Sequence, residues 1–353
     1  MKNEGPTKRQ KRSGASLGFR WQRMTDEQLL NLRLCDLPVR VEGSALEPRV
    51  ERLYRELGER GIRFKPHVWL SEEWFSPDGV PGIAIPFYLA HPRLMRLERK
   101  MMLGVEGGTD AECMRLLRHE AGHALDTAYR LHFKRRWQEL FGSFTEPYPD
   151  SYTPRPNSRN YVLHLDAWYA QAHPAEDFAE TFAVWLTPGS RWRGRYQGWP
   201  AFRKLEYVDQ LMAEIAGMPP KNDLRIRIDP LSRVKLALRE HYKRRHRHYA
   251  VEWPAFYDRD LRRIFSEESR HLSRPTAVSF LRRFRRELCE VVSEGTGVHQ
   301  YTINYVLQHM IERCKRLKLR VPRPERHVQR EVMVMLTVQT MNVIHSGYYR
   351  LAV

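Results

Sequence analysis

Residues 119–123 read His-Glu-Ala-Gly-His, and no other feature of the chain restricts its fold as much. Two histidines at i and i+4 fall one turn apart on one face of an α-helix, where they can share a metal ion. The glutamate between them lies beside that face, placed to take a proton from a water that the metal activates. Imidazole ligands and a tetrahedral site with one open position suit zinc. The surrounding segment from Asp110 to Phe133 supports a helix, because Met114, Leu117, Ala121, Ala124, Leu125 and Ala128 keep a 3.6-residue period. Gly122 is helix-unfavourable and small, which predicts that another segment approaches closely there. A third ligand must come from elsewhere. The form HExxHxxGxxH is excluded, since the positions it needs hold Asp126 and Tyr129.

The remaining solution is a carboxylate on a later helix. His173-Pro174 opens one and Thr187-Pro188-Gly189 stops it. Within it Glu176 and Glu180 share one face, with Phe178, Phe182 and Trp185 on the apolar side. Two carboxylates stacked this way cost about a few tenths of a kcal/mol on an exposed helix. A nearby cation reverses that sign. Glu176 is therefore expected as the third ligand of a single Zn2+. Glu180 is expected to accept the free ring N–H of a ligand histidine and fix its tautomer. An acidic first turn complementing the helix dipole would account for Glu176 and Asp177, but less well for Glu180.

A histidine pair followed by Glu-x-x-x-Glu on a second helix resembles gluzincin zinc metallopeptidases. The segment Glu176-Asp-Phe-Ala-Glu180 is similar to the third-ligand segment of the anthrax lethal factor catalytic domain. The stretch GIAIPFYLAHP from Gly82, then EGGT at 106–109 and RHEAGHALD, resembles bacterial zinc-binding metallopeptidases. The resemblance spans roughly residues 62–186 and implies an α+β, helix-rich zincin-like domain with a small sheet that hydrolyses peptide bonds. Glu120 would be the general base. A tyrosine seven residues before the ligand glutamate assists the transition state in the lethal factor domain; that position is Tyr169 here. His164 and His173 are rival donors to the oxyanion. The run Ile83 to Leu89 reads as a strand placed at an edge by Pro86, able to pair with an extended peptide substrate.

The rest of the chain is organised around this unit. Thr25 caps a short helix to Leu34, Ala45 to Arg60 forms an amphipathic helix, and Arg63 to Leu70 reads as a strand. Residues 146–159 are rich in Pro, Tyr and Ser and read as a long surface loop. Residues 1–16 are expected to be a disordered basic tail, 17–228 the metallopeptidase domain, and 229–353 a helical basic extension containing paired helices at 274–293 and 298–317. The net charge of the whole chain, +18, makes an acidic partner or weak, non-specific nucleic-acid contact plausible, at KRQKR, HYKRRHRH or LRRFRR. Solvated helix faces would explain the same runs. The rival to an enzyme is thus a non-catalytic nucleic-acid- or protein-binding protein on a zincin-like scaffold. Four cysteines without a paired motif fit reduced thiols and a cytoplasmic location. No apolar run approaches the ~20 residues of a membrane span.

Overall fold

The computed structural model describes residues 21–149, 151–152, 155, 158–248, 258–345 and 351–352. The tail with KRQKR lies outside the described residues, as do parts of the loop at 146–159. The fold is α+β and helix-rich. Thr25 caps a helical turn, Asp26–Leu30, through a capping box with Gln28. Helix α1, Glu47–Glu59, buries Val50, Leu53 and Leu57 along one stripe. Strands β1 (His67–Ser71) and β2 (Gly82–Pro86) pair in parallel, His67 opposite Gly82 and Ser71 opposite Pro86. Helix α2 is Pro92–Met102, capped by the His91 side chain.

Helix α3, Asp110–Tyr129, opens with a Thr109–Glu112 capping box. It stops four residues short of the expected Phe133, because Arg130 turns left-handed at φ 54°. The strand expected to reach Leu89 also stops early, at Pro86, and Phe87–Ala90 winds into a 3₁₀ turn. Pro86 offers no N–H to extend the ladder. An open edge on β2 is not found at Ala84. Its N–H and C=O are both bonded to Phe75, while Trp69 pairs with it from the other side. The connection between the two strands thus folds back and covers the edge that a substrate was expected to use.

Helix α4 (Arg135–Phe141) leads to the loop and to β3, Ser151–Tyr152. Helix α5, Pro174–Leu186, is buried almost throughout and packs between α3 and α6, Phe202–Ile215. One hydrophobic core joins these elements and runs on through Leu238 and Tyr242 of α7, Leu238–His248. A second core gathers α8 (Asp258–Ile264), α9 (Ala277–Thr296), α10 (Gln300–Arg316) and α11 (Glu325–His345). The expected pair of basic helices corresponds to α9 and α10, which pack together. Strand β4, Leu351–Ala352, pairs antiparallel with β3.

Part of the basic charge is paired, some of it buried and some on exposed helix faces. His241 and Arg244 share Glu72, Arg245 pairs with Glu98, and His246 bonds to the Met101 carbonyl. On α9, Arg283 pairs with Glu325 and Arg286 with Glu290. The cysteines Cys35, Cys113, Cys289 and Cys314 are free thiols. Among the described residues no helix is long and apolar enough to cross a membrane.

Candidate metal centre

The site forms where α3 crosses α5. A Cβ on Gly122 would stand 2.8 Å from the Ala179 Cα, so only glycine lets the two backbones come this close. The predicted close approach is borne out. A bidentate pair between Arg118 and Glu56, both buried and at 2.7 Å, pins α3 to α1 from behind.

Three donor atoms converge in the crossing. His119 Nε2 lies 3.0 Å from Glu176 Oε2, His123 Nε2 lies 3.2 Å from the same oxygen, and the two nitrogens are 3.2 Å apart. A tetrahedral ion with bonds of ~2.0–2.1 Å sets its ligand atoms ~3.3 Å apart. The triangle is one face of such a tetrahedron to within a few tenths of an ångström, and its members form a cluster that could hold a metal ion. Glu180 completes the setting. Its Oε1 is 2.9 Å from His119 Nδ1 and its Oε2 accepts from the Leu165 N–H at 2.8 Å. With Nδ1 donating to Glu180, Nε2 is the nitrogen turned to the triangle, where an ion or a second proton can bind.

Glu120 is buried beside these groups, and its Oε2 has no hydrogen-bond partner. That orphaned oxygen is what a base awaiting a water would present. Burial pushes its carboxyl up from the usual range. Burial would also raise Glu176, but the two imidazoles override it and hold that carboxyl well below the usual range. The histidines answer in kind. Burial disfavours charge on His119, yet hydrogen bonds to Glu176 and Glu180 push it well above the ordinary imidazole value. His123 moves up through Glu176 against the same burial penalty.

Tyr169 packs its ring 5.7 Å from the His119 ring. Its neighbour Trp168 holds φ at 55°, an uncommon conformation for a bulky residue, in the 3₁₀ segment Asp166–Gln171 that delivers the tyrosine. Burial, with the Glu176 and Glu120 carboxylates nearby, keeps the phenol protonated. The rival histidines have other work. His164 Nε2 donates to the Arg115 carbonyl at 3.0 Å. His173 caps α5 by accepting from the Ala175 N–H through Nδ1, while its Nε2 donates to the Glu146 carbonyl.

One functional candidate escaped the sequence. Tyr148 donates to Glu176 Oε1 at 2.9 Å, on the carboxylate oxygen that faces away from the triangle, and its ring stacks on His173 at 3.8 Å. The donor steadies the ligand carboxylate, and the stacking ties the loop to the helix cap. Nothing in its spacing marks it, because it comes from an irregular loop rather than a periodic element.

His119, Glu120, His123, Glu176, Glu180 and Tyr169 therefore stand together around one point. Three residues that could hold a metal ion thus stand beside a buried carboxylate. Comparison with known proteins is consistent with that chemistry. No curated protein and no solved structure matches the chain. Residues 113–188, which carry both helices of the crossing, match the family described as "Putative zinc-binding metallo-peptidase", and this supports a zinc metallopeptidase.

Proposed function

We propose that the protein is a gluzincin-type zinc peptidase that hydrolyses peptide bonds at this crossing. The converging triangle of His119, His123 and Glu176 carries the proposal. Zinc there would lower the pKa of water toward ~7 and polarise a carbonyl. The chain's own groups do the rest. Glu120 takes the proton of the attacking water and passes it to the leaving amine. Its raised carboxyl, displaced by burial, narrows the gap to the groups it exchanges protons with. Tyr169, kept protonated, donates to the oxyanion as the carbonyl becomes tetrahedral. Glu180 holds the His119 ring, and Tyr148 holds Glu176, so neither ligand needs to reorganise. The likeness of Glu176-Asp-Phe-Ala-Glu180 and Tyr169 to the lethal factor segment supports the same assignment.

The test is Glu120→Gln assayed against a peptide library. Zinc content should be unchanged, and chelator-sensitive cleavage should fall by about 10²–10⁴-fold. Equal cleavage by the variant would remove Glu120 from its role. A zinc-loaded parent that cleaves nothing would favour the binding-protein alternative.

A further inference from the structure

We propose that the segment Asp223 to Asp229 is a docking edge for an extended polypeptide in which acidic residues alternate with aliphatic ones. The segment reads Asp-Leu-Arg-Ile-Arg-Ile-Asp. It lies over one face of β1: His67 Nε2 donates to the Ile226 carbonyl at 2.7 Å, and Trp69 Nε1 donates to the Ile228 carbonyl at 2.9 Å. Ser71 adds a third bond, to the Asp229 carbonyl, one residue out of that register, where the backbone turns left-handed at φ 43° and the extended run ends. Residues 67 and 69 are two apart in a strand, and so are their acceptors, which means that the segment rises like a strand. Gly82 makes room for this fastening, since a Cβ there would meet the His67 and Trp69 rings at 2.7 Å or less.

One edge of the segment is thereby occupied and the other is open. In an extended chain the N–H and C=O of one residue point to the same side, and those of the next residue point to the opposite side. The Ile226 and Ile228 carbonyls face β1, so the main-chain groups of Arg225 and Arg227 face away from it. Among the described residues none of the N–H groups of residues 225–228 finds an acceptor. The side chains alternate as well. Leu224, Ile226 and Ile228 are 45%, 46% and 36% exposed, an unusual row of aliphatics on an outer segment. Arg225 and Arg227 take the other face. Neither pairs with a carboxylate among the described residues, and nor do Arg63 and Lys65.

Where the edge begins, a cavity of about 310 Å³ is lined by Arg63, Lys65, His67 and Arg225, with Asp223 the one carboxylate on its wall. A strand added along the open edge would set its alternate side chains against the aliphatic row and the arginines in turn. Acidic residues on one face and aliphatic ones on the other complement both rows. A second copy paired over its full length would not, because it would set Arg225 beside Arg227 and Asp223 beside Asp229. The surface continues toward the metal centre. Asn222 bonds to the Gly79 carbonyl at 2.9 Å, and the connection that holds Gly79 also holds Ser76, whose hydroxyl bonds to the Glu120 carbonyl at 3.0 Å. Docking there does not require the metal centre to turn anything over, so binding can be measured apart from activity.

The experiment measures fluorescence anisotropy of a labelled octapeptide of alternating Glu and Val, with the full chain carrying Glu120→Gln so that the probe survives. Saturable binding is expected. Arg225→Glu with Arg227→Glu, both on exposed residues, should weaken it about tenfold or more, or ~1.4 kcal/mol, with no loss of thermal stability or zinc. A probe N-methylated at alternate backbone nitrogens keeps its charge but cannot pair as a strand, and it should bind at least about tenfold more weakly. An equal affinity for the methylated probe would overturn the proposal, because the contact would be charge alone. So would an affinity indifferent to the double reversal, or a single-stranded oligonucleotide of equal charge that binds as tightly as the peptide.

Discussion

Gly122→Ala tests whether the helix crossing sets the metal geometry. The added Cβ would sit 2.8 Å from the Ala179 Cα, 3.2 Å from the Ala179 carbonyl oxygen and 3.2 Å from Phe182 Cδ1. Carbon atoms pack at ~3.5–4.0 Å, so α5 must back away by about 0.7 Å. The nearest obstacle is backbone, which cannot rotate aside as a side chain can. Glu176 and Glu180 ride on the same helix as Ala179, one three residues before it and one directly after it. A shift of ~0.7 Å exceeds the ~0.2 Å by which metal–ligand distances ordinarily vary. Zinc affinity, read by competition with a chromogenic chelator, should fall about tenfold or more, as it does when ligand orientation is disturbed. The urea midpoint of the metal-free protein should move less. Overpacking costs ~1–3 kcal/mol, and alanine recovers up to ~1 kcal/mol of helix propensity, which leaves a net loss of about 0–2 kcal/mol. Gly58→Ala on α1 is the control. No atom lies within 4 Å of its added Cβ, so only the propensity gain applies. If Gly122→Ala holds zinc as tightly as the parent and gains stability like Gly58→Ala, the close crossing does not set the site.

Two further outcomes follow from the packing. Glu180→Gln removes the charged acceptor of the His119 Nδ1 proton without changing the size of the side chain, so zinc affinity should drop about 10–100-fold; an unchanged dissociation constant would show that the Leu165 and His119 contacts are incidental. His299 caps α10 by accepting from the Tyr301 N–H, and burial beside Arg245 pushes its pKa down to about 4 from 6.5. Its contribution is present in full above pH 6.5 and is lost as the pH falls toward 4, since the unfolded chain binds the proton first. The loss approaches ~3 kcal/mol at the lower end if the site stays dry. His299→Asn keeps a cap acceptor and cannot titrate, so its melting temperature should change less between neutral and mildly acidic buffer than that of the parent.

What could be read from residues alone was whatever local periodicity or capping decides. Helices α3 and α5 were legible because the 3.6-residue period, Pro174 and the Thr187-Pro188-Gly189 stop are all short-range signals. The crossing itself was legible only through Gly122, whose poor helix propensity makes sense when a backbone sits against it. Helix α2 went unread, since its His91 cap is not one of the ordinary N-cap residues. The edge on β2 was misjudged for a different reason. Pro86 does end the ladder, but the cover comes from Phe75, and no sequence rule announces that a loop will fold back to pair with the strand that follows it. The ion pairs of His241, Arg244 and Arg245 were hidden in the same way, because their partners Glu72 and Glu98 are far away in sequence.

The electrostatics of the crossing carry one more consequence. Glu120, Glu176 and Glu180 are buried together, and among the described residues the cationic candidates in contact with them are the two imidazoles of the motif. Buried carboxylates in such number are expensive unless positive charge is brought among them. The metal-free protein supplies it with protons: Glu176 and Glu180 push His119 up, Glu176 pushes His123 up, and the imidazoles hold Glu176 down. A divalent ion would supply the same charge, and it needs the Nε2 lone pairs that those protons occupy. Ion and protons therefore compete for one pocket. Zinc added to the metal-free protein at neutral pH in weak buffer should release between about one and two protons per site, read with a pH indicator. The release should diminish as the starting pH rises above the raised imidazole values. Binding without proton release at neutral pH would mean that the histidines are already neutral there, and that the carboxylates are balanced by something other than their ligand neighbours.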